Sequence, residues 1–326
     1  MTIDLSSLNC ASLLYSYMDV LPRHATFCLT NMGDHVTVHR ITTNGGKKRR
    51  TIYAPSRALS WVQNQIRNNL LLTLGNEDCV HGFIRGRGTV SNAHVHAHER
   101  KTWVMNIDLR NFFPSITFPR VLGLYRRLFN LDEKMAVHLA RLTTYDNHLC
   151  QGFCTSPDLA NFVAWKLDRR LMALARKMGV GYTRYADDLT FSCSGDKPSP
   201  DAVRSTVTKI VADEDFQVND RKVAIMRIGR RQVVTGLVVS EHGISVPRRT
   251  RRLLRSAVHH WQQQDHTRRV SIRGWISYIH AVDPQAAKRL LDGIDAAEAD
   301  ESRIWAQNVP SGPFARDIKS YREARR

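Results

Sequence analysis

The tetrapeptide Tyr185-Ala186-Asp187-Asp188 sits between two β-prone runs, Gly181-Tyr182-Thr183-Arg184 and Leu189-Thr190-Phe191-Ser192. This pattern places two adjacent carboxylates at the tip of a hairpin. Adjacent Asp side chains repel, and a tight turn carries both cheaply only when a cation lies between them. A solvated hairpin turn is the competing reading of these letters alone. A further strand-end carboxylate, Asp108, closes the run Val104-Met105-Asn106-Ile107-Asp108. Three carboxylates converging on two divalent ions is the arrangement that phosphoryl transfer to a nucleic-acid 3′ end requires.

The charge balance points to the same kind of partner. Against 30 Asp+Glu the 326 residues carry 48 Lys+Arg, a formal net charge of +18. An excess of this size suits a polyanion, most simply nucleic acid. No apolar run approaches the roughly 18 residues of a membrane-spanning helix. The first 30 residues lack a basic stretch followed by a long apolar core. The expectation is a cytoplasmic protein with no membrane partner. Cys10, Cys28, Cys79, Cys150, Cys154 and Cys193 include no Cys-x-x-Cys pair, so reduced thiols are expected in place of a disulfide or zinc framework.

Periodicity gives an α+β order. Residues 1–30 read as mostly helical, with Leu13, Leu14 and Tyr17 on an apolar face. Val36–Ile41 alternates like a strand and Thr51–Tyr53 returns, around the turn Asn44-Gly45-Gly46 and the basic run Lys47-Lys48-Arg49-Arg50. Residues 56–74 read as an amphipathic helix carrying Leu59, Val62, Ile66 and Leu70. Then follow a strand (103–108), helices (118–129, 132–144 and a long one at 157–177), the hairpin (181–194), a helix (199–213) and a strand (222–228). Val203, Val207, Ile210 and Val211 give the 199–213 helix its buried stripe. A split β-α-β unit with an antiparallel sheet and helices on one face satisfies this order. A second hairpin spans 232–246, and Pro247 opens a helical C-terminal segment.

Several segments carry candidate chemistry. Asp108 can ligate metal, with the carbonyl of Leu109 able to complete the shell, and Phe113 can line a sugar pocket or simply pack in the core. Gln151-Gly152 precedes Thr155-Ser156-Pro157. An N-cap with Pro in the first turn accounts for Ser156-Pro157 but leaves the Gln amide and the Gly, which suit close approach to an incoming base. His94, His96 and His98 would share one face of a strand and could form a metal site, although only Glu99 stands nearby to complete a shell.

In order and spacing, Asp108 with Phe113, Gln151-Gly152 with Ser156-Pro157, and Tyr185-Ala186-Asp187-Asp188 resemble the palm motifs of reverse transcriptases. Lys222 resembles the lysine of the following motif. Arg50-Thr51-Ile52-Tyr53-Ala54-Pro55 and Gly82-Phe83-Ile84-Arg85-Gly86-Arg87 resemble the fingers block. Two further elements, Asn92-Ala93-His94-Val95-His96 and Val234-Thr235-Gly236, narrow the resemblance to retron reverse transcriptases, bacterial enzymes that make RNA-linked multicopy single-stranded DNA. The match covers about residues 45–285. Cys150 and Phe153-Cys154 depart from the usual pattern around the nucleotide pocket.

The resemblance implies a right-hand polymerase with fingers (1–100), palm (101–243) and a helical, RNA-binding thumb (244–326). It implies catalytic Asp108, Asp187 and Asp188 holding two Mg²⁺ ions together with Leu109. Phe113 becomes the steric gate, Gln151 and Gly152 hold the incoming dNTP, Lys222 lies near the leaving pyrophosphate, and Arg50 and Arg87 join the nucleotide site. Asn92, His96, Val234, Thr235 and Gly236 are carried over as RNA-binding. It further implies priming from a guanosine 2′-OH of a cognate structured noncoding RNA, a DNA product linked to it, and a role in phage defence beside an effector protein. With fingers, palm and thumb using the chain, no ribonuclease H domain is expected.

The C-terminal segment has its own physics. On a helix from Pro247, Arg248, Arg252, Arg255 and His259 share one stripe, opposite Leu253, Leu254, Ala257, Val258 and Trp261. Cations near a helix N-terminus oppose the macrodipole unless an anion offsets them. Arg268, Arg269 and Arg273 add charge beside Trp275. An RNA grip fits better than a solvated face. The rivals are a group II intron-like or diversity-generating reverse transcriptase, or a catalytically silent RNA-binding scaffold.

Overall fold

The computed structural model describes residues 3–5, 7, 10–43 and 48–308, with side chains described up to Asp300 save those of Thr43 and Lys48. The turn Asn44-Gly45-Gly46, Lys47 at the start of the basic run, and residues 309–326 of the polar C-terminal stretch lie outside the described residues. The chain divides into two compact units, residues 1–235 with 239–243, and residues 236–238 with 244–326.

The first unit opens with helices α1 (Ala11–Tyr17) and α2 (Pro22–Thr30), then the antiparallel pair β1 (Val36–Thr43) and β2 (Lys48–Pro55). In α1 the buried face is Leu14, Tyr15 and Met18, while Leu13 and Tyr17 are 47% and 45% exposed, so the expected apolar face is rotated by one residue. Helix α3 (Arg57–Asn69) buries Leu59, Val62 and Ile66, and Leu70 is buried at its C-cap. Each such side chain contributes about 1.5–3 kcal/mol, which outweighs the roughly 1 kcal/mol of a cap such as the Ser56 hydroxyl, which accepts from Leu59 N.

Helix α4 (Thr89–Val95) follows, then β3 (Trp103–Asp108), the short α5 (Phe112–Ser115), and the packed helices α6 (Phe118–Phe129) and α7 (Glu133–Thr143). The single long helix expected at 157–177 is two, α8 (Ser156–Val163) and α9 (Trp165–Met178), divided at Ala164 with ψ −4°. Gly179 ends α9 with φ +66°, a left-handed stop that costs a glycine nothing. Strands β4 (Gly181–Tyr185) and β5 (Asp188–Cys193), helix α10 (Pro200–Asp213) with Val203, Val207 and Val211 buried, and β6 (Ala224–Arg227) complete the unit's main layer.

The sheet runs in the order β4-β5-β3-β6, every pairing antiparallel. Strands β3 and β5, with burial on both faces, read as near-continuous core, and Met105, Ile107, Leu189 and Phe191 are fully buried. The expected split β-α-β sheet is what forms.

A small sheet of β7 (Val233–Val234), β8 (Leu237–Ser240) and β9 (Gly243–Ser245) comes next in the chain. The second unit is helical: α11 (Arg248–His259), α12 (His266–His280) and α13 (Pro284–Asn308). Its core gathers Leu254, Val258, Trp261, Ile272, Ile276, Ile279, Leu290 and Ile294. Leu253, expected among them, is 59% exposed. All six cysteines are free thiols. Among the described residues no helix is long and apolar enough to cross a membrane.

Candidate active site

Antiparallel register sets the site. Asp108, the last residue of β3, lies opposite Asp188, the first of β5, and Tyr185 lies opposite Asp188 across the β4–β5 hairpin. Ala186 and Asp187 are therefore a two-residue turn. Ala186 takes φ +56° at the first central position, where a glycine is the usual occupant. The Leu109 N–H donates to the Asp187 carbonyl at 2.8 Å, which ties the end of β3 to that turn.

A buried cation holds the turn from below. Arg184, fully buried, donates through Nε and Nη2 to both oxygens of Asp168 at 2.8 and 2.6 Å, and through Nη1 to Asn161 Oδ1 at 3.0 Å and the Ala186 carbonyl at 3.2 Å. The Tyr182 hydroxyl donates to the same carboxylate at 2.9 Å. Burial opposes the guanidinium charge, and Asp168 more than offsets it, so the Arg184 pKa moves up. Burial, then Asp168, push the Tyr182 phenol well up. Segment 79–82 runs beside β4: Arg184 N–H donates to Cys79 O and His81 N–H to Arg184 O, each at 2.8 Å. A Cβ on Gly82 would overlap the Ala186 amide, so only glycine lets this segment lie against the turn.

Above the turn lies a cavity of about 750 Å³. Asp108, Asp187, Leu109, Phe113, Gln151, Lys222 and Arg50 line it, as do Arg49, Arg110, Tyr53, Phe83, His148 and Asn219. The strand-like contact of β2 with the loop before α8 brings the arginines there. Tyr53 N–H donates to Gln151 O at 2.8 Å, and Gly152, with φ +124°, abuts the Tyr53 carbonyl so closely that a Cβ would overlap it. Gly152 thus serves close approach between two backbones, not a wall of the cavity. Phe113 is part of a row of rings, Phe83–Phe113–Phe112–Phe216, with successive centroids 5.9, 5.7 and 5.6 Å apart. The Arg120 guanidinium caps the row at 4.3 Å from Phe216.

The donors suit a hard cation in kind. Asp108 and Asp187 face one cavity, Asp188 is register-paired with Asp108, and all supply oxygen. The expected convergence of three carboxylates is not the arrangement seen. Among the described residues no three His, Cys, Asp or Glu side chains form a metal-holding group. Asp108 is engaged by Lys222 Nζ at 2.5 Å and by Asn219 Nδ2 at 3.0 Å, because like charges repel while an ammonium satisfies one of them.

Several expected site residues lie elsewhere. Arg87 donates to the carbonyls of Glu77, Asp78 and Val80 and pairs with Asp78, so it clasps its own loop and does not line the cavity. The His94–His98 segment is not a strand: α4 ends at Val95, and His94 and His98 stack at 5.4 Å. His96 is fully buried, bonded to Ser192 Oγ at 2.7 Å and Thr183 Oγ1 at 2.8 Å. Burial lowers its pKa to about 3. Asn92 and Val234 are also fully buried, so none of the three lies at the surface. Thr235 (φ +45°) donates to Thr89 O at 3.0 Å, and Gly236 has φ +85°, which makes them turn formers.

In the helical unit, Arg248, Arg252 and Arg255 are exposed on α11, whose first turn holds no acid. Among the described residues these arginines form no ion pair. Arg273 pairs with Glu298 at 2.8 Å and, like Arg269, stands 5.3 Å from the Trp261 ring, so it is tied to Trp261 and not to Trp275. Arg184, Asp168, Asn219 and His148 are residues that sequence reasoning did not assign, and Tyr53 and Phe83 entered it only as letters of the fingers block. The letters around Arg184 gave the only signal, a charge inside a strand that is otherwise buried.

Residues 42–269 match the family model described as reverse transcriptase (RNA-dependent DNA polymerase). The chain is 34% identical to the retron Ec86 reverse transcriptase of Escherichia coli, over 80% of this chain and 81% of that protein. It is 34% identical to the retron Mx162 and 35% to the retron Mx65 reverse transcriptases of Myxococcus xanthus, covering 82% and 74% of this chain but 62% and 60% of those proteins. A telomerase structure from Candida albicans aligns with 69% of this chain and 50% of its own at 9% identity, with a TM-score of 0.47. The residues the family model matches include the whole β4-β5-β3-β6 sheet. The chain belongs to the reverse transcriptases, as a retron-type RNA-directed DNA polymerase.

Proposed function

We propose that this polymerase extends a primer hydroxyl along its own structured noncoding RNA with dNTPs, to give RNA-linked single-stranded DNA. One observation carries the reading: Asp108, Asp187, Phe113, Gln151, Arg50 and Lys222, far apart in sequence, line a single cavity. Asp108, Asp187, Asp188 and the Leu109 carbonyl would hold two Mg²⁺ ions, whose chemistry there would be to activate the primer oxygen and offset triphosphate charge. Arg50 and Arg49 bind the phosphates, Lys222 meets the leaving pyrophosphate, Gln151 orients the nucleotide and Phe113 excludes a ribose 2′-OH.

In this reading residues 1–100 are fingers, 101–243 palm and 244–326 thumb. Arg248, Arg252 and Arg255 contact RNA phosphates, since exposed cations at a helix N-terminus are stabilised by a polyanion. The resemblance to retron enzymes implies priming from a guanosine 2′-OH, and a place in phage defence beside an effector protein.

The test is to purify the protein with its bound nucleic acid. DNA resistant to RNase but freed of its RNA by a debranching enzyme is the expected product, and Asp187→Asn should contain RNA without DNA. Near wild-type extension by Asp187→Asn would remove the metal assignment. DNA that needs no debranching would remove the 2′-OH priming.

A further inference from the structure

Phe83 departs from what its residue type prefers. Its φ is +66°, a region costly for any bulky side chain. The residue is 41% exposed and lines the cavity, its ring 5.9 Å from the Phe113 ring and tilted 53° to it. The segment that carries it is not loose. Gly82 lies against the Ala186 amide, its carbonyl accepts from Asn161 Nδ2 at 3.1 Å, and His81 is bonded to Arg184 in β4. Arg87 clasps the carbonyls of residues 77, 78 and 80 on the same loop. An apolar ring held in solvent by a strained backbone on a fixed segment recovers its cost only when something covers it.

We propose that Phe83 is a specificity-determining wall of the nucleotide pocket, forming with Phe113 an aromatic corner for the sugar of the incoming dNTP. The C2′ methylene of deoxyribose packs on two rings, whereas a ribose hydroxyl there meets apolar surface with nothing to accept or donate. The corner is fixed to the Ala186-Asp187 turn through Gly82, so the sugar wall and the proposed metal-holding carboxylates keep one mutual spacing. The inference rests on the proposed role of Phe113.

Phe83→Gly is the informative change because glycine adopts φ +66° without strain. The ring disappears while the thermal midpoint should stay level or rise. The ratio of rNTP to dNTP incorporation efficiency should rise roughly 10-fold, within what an apolar wall can discriminate, and KM for dNTP should rise more than kcat falls. Phe83→Tyr, which keeps the ring, should restore the ratio. If Phe83→Gly makes too little product for a ratio, Phe83→Leu is read in the same way. An unchanged ratio in the ring-less variant, or the same rise in Phe83→Tyr, overturns the inference. Phe113→Ala, measured alongside, separates the two readings. If that variant also leaves the ratio unchanged, the gate assignment itself fails, and if it alone raises the ratio, only the role of Phe83 fails.

Discussion

Replacing Asp168 by Asn removes the charge beneath the β4–β5 hairpin while keeping the side chain's size. Arg184 feels that change in full, because both partners are buried, with side-chain exposures of 0% and 1%. An uncompensated buried guanidinium costs about 3–5 kcal/mol, a large share of the ~5–15 kcal/mol that holds a domain together. For a unit of this size the thermal midpoint should fall by roughly 6–20 °C. Urea unfolding followed by circular dichroism reads the same change as a lower midpoint. A triple change, Asp168→Leu, Arg184→Met and Tyr182→Phe, removes the charges and the hydroxyl together, and most of the lost stability should return because no buried charge is left behind, the remainder being the cost of Asn161 Oδ1 and the Ala186 carbonyl losing their donor. Activity should not return. The bond from Arg184 Nη1 to the Ala186 carbonyl is gone, and a charged hydrogen bond of ~1.5–3 kcal/mol corresponds to a drop of roughly 10- to 200-fold in kcat if the turn must hold that shape in the transition state. Primer extension under single-turnover conditions measures it. A triple variant that is stable and copies RNA at the wild-type rate would show that the network serves the core and not the turn. An unmoved urea midpoint in Asp168→Asn would refute the ion-pair argument itself.

Three other expectations follow from the structure. His96, held neutral with a pKa of about 3, binds a proton in the unfolded chain near pH 6.5 but not in the folded one, so stability is complete above about pH 6.5 and falls as pH drops toward 3; the decrease by pH 5 is about 2 kcal/mol, and His96→Gln should flatten that part of a stability–pH profile. Gly152→Ala should lower stability by about 1–3 kcal/mol and raise KM for dNTP, because its Cβ meets the Tyr53 carbonyl on the strand that carries Arg50; wild-type kinetics would refute the close-approach argument. Arg252→Ala with Arg255→Ala should reduce the slope of log affinity for cognate RNA against log salt by about 0.7–0.9 for each phosphate the helix no longer neutralises, and an unchanged slope would return α11 to an ordinary solvated helix.

The sequence carried the Asp187-Asp188 hairpin and its sheet because local pattern determines both. Strand alternation, a two-residue turn and a carboxylate at each strand end are visible within short stretches around Asp187 and Asp108. What stayed hidden depends on partners distant in the chain. His96 reads as a ligand or an RNA contact until Thr183 and Ser192 are found on either side of it. Arg87 and Arg273 read as phosphate binders until loop carbonyls and Glu298 satisfy them. A polar letter announces a need for hydrogen bonds but not whether solvent, nucleic acid or the fold itself meets it. The His94–His98 segment illustrates the converse, since its polar alternation suggested a strand while Ser91, bonded to the Gly88 N–H at 2.9 Å, starts a helix.

The row of rings from Phe83 to Phe216 also bears on how this pocket can change over evolutionary time. Phe216 lies just past α10 and is 2% exposed, under Arg120 from another helix. Drift at such a core position normally alters only stability. Here each ring rests on the next, so a smaller residue at Phe216 lets Phe112 settle and tilts Phe113 with it. With Phe113 as the proposed gate, sugar selection is inherited together with the packing beneath it. Variants that loosen substrate choice should arise at residues that never touch a nucleotide, and transplanting the gate alone into another palm should not transplant its selectivity.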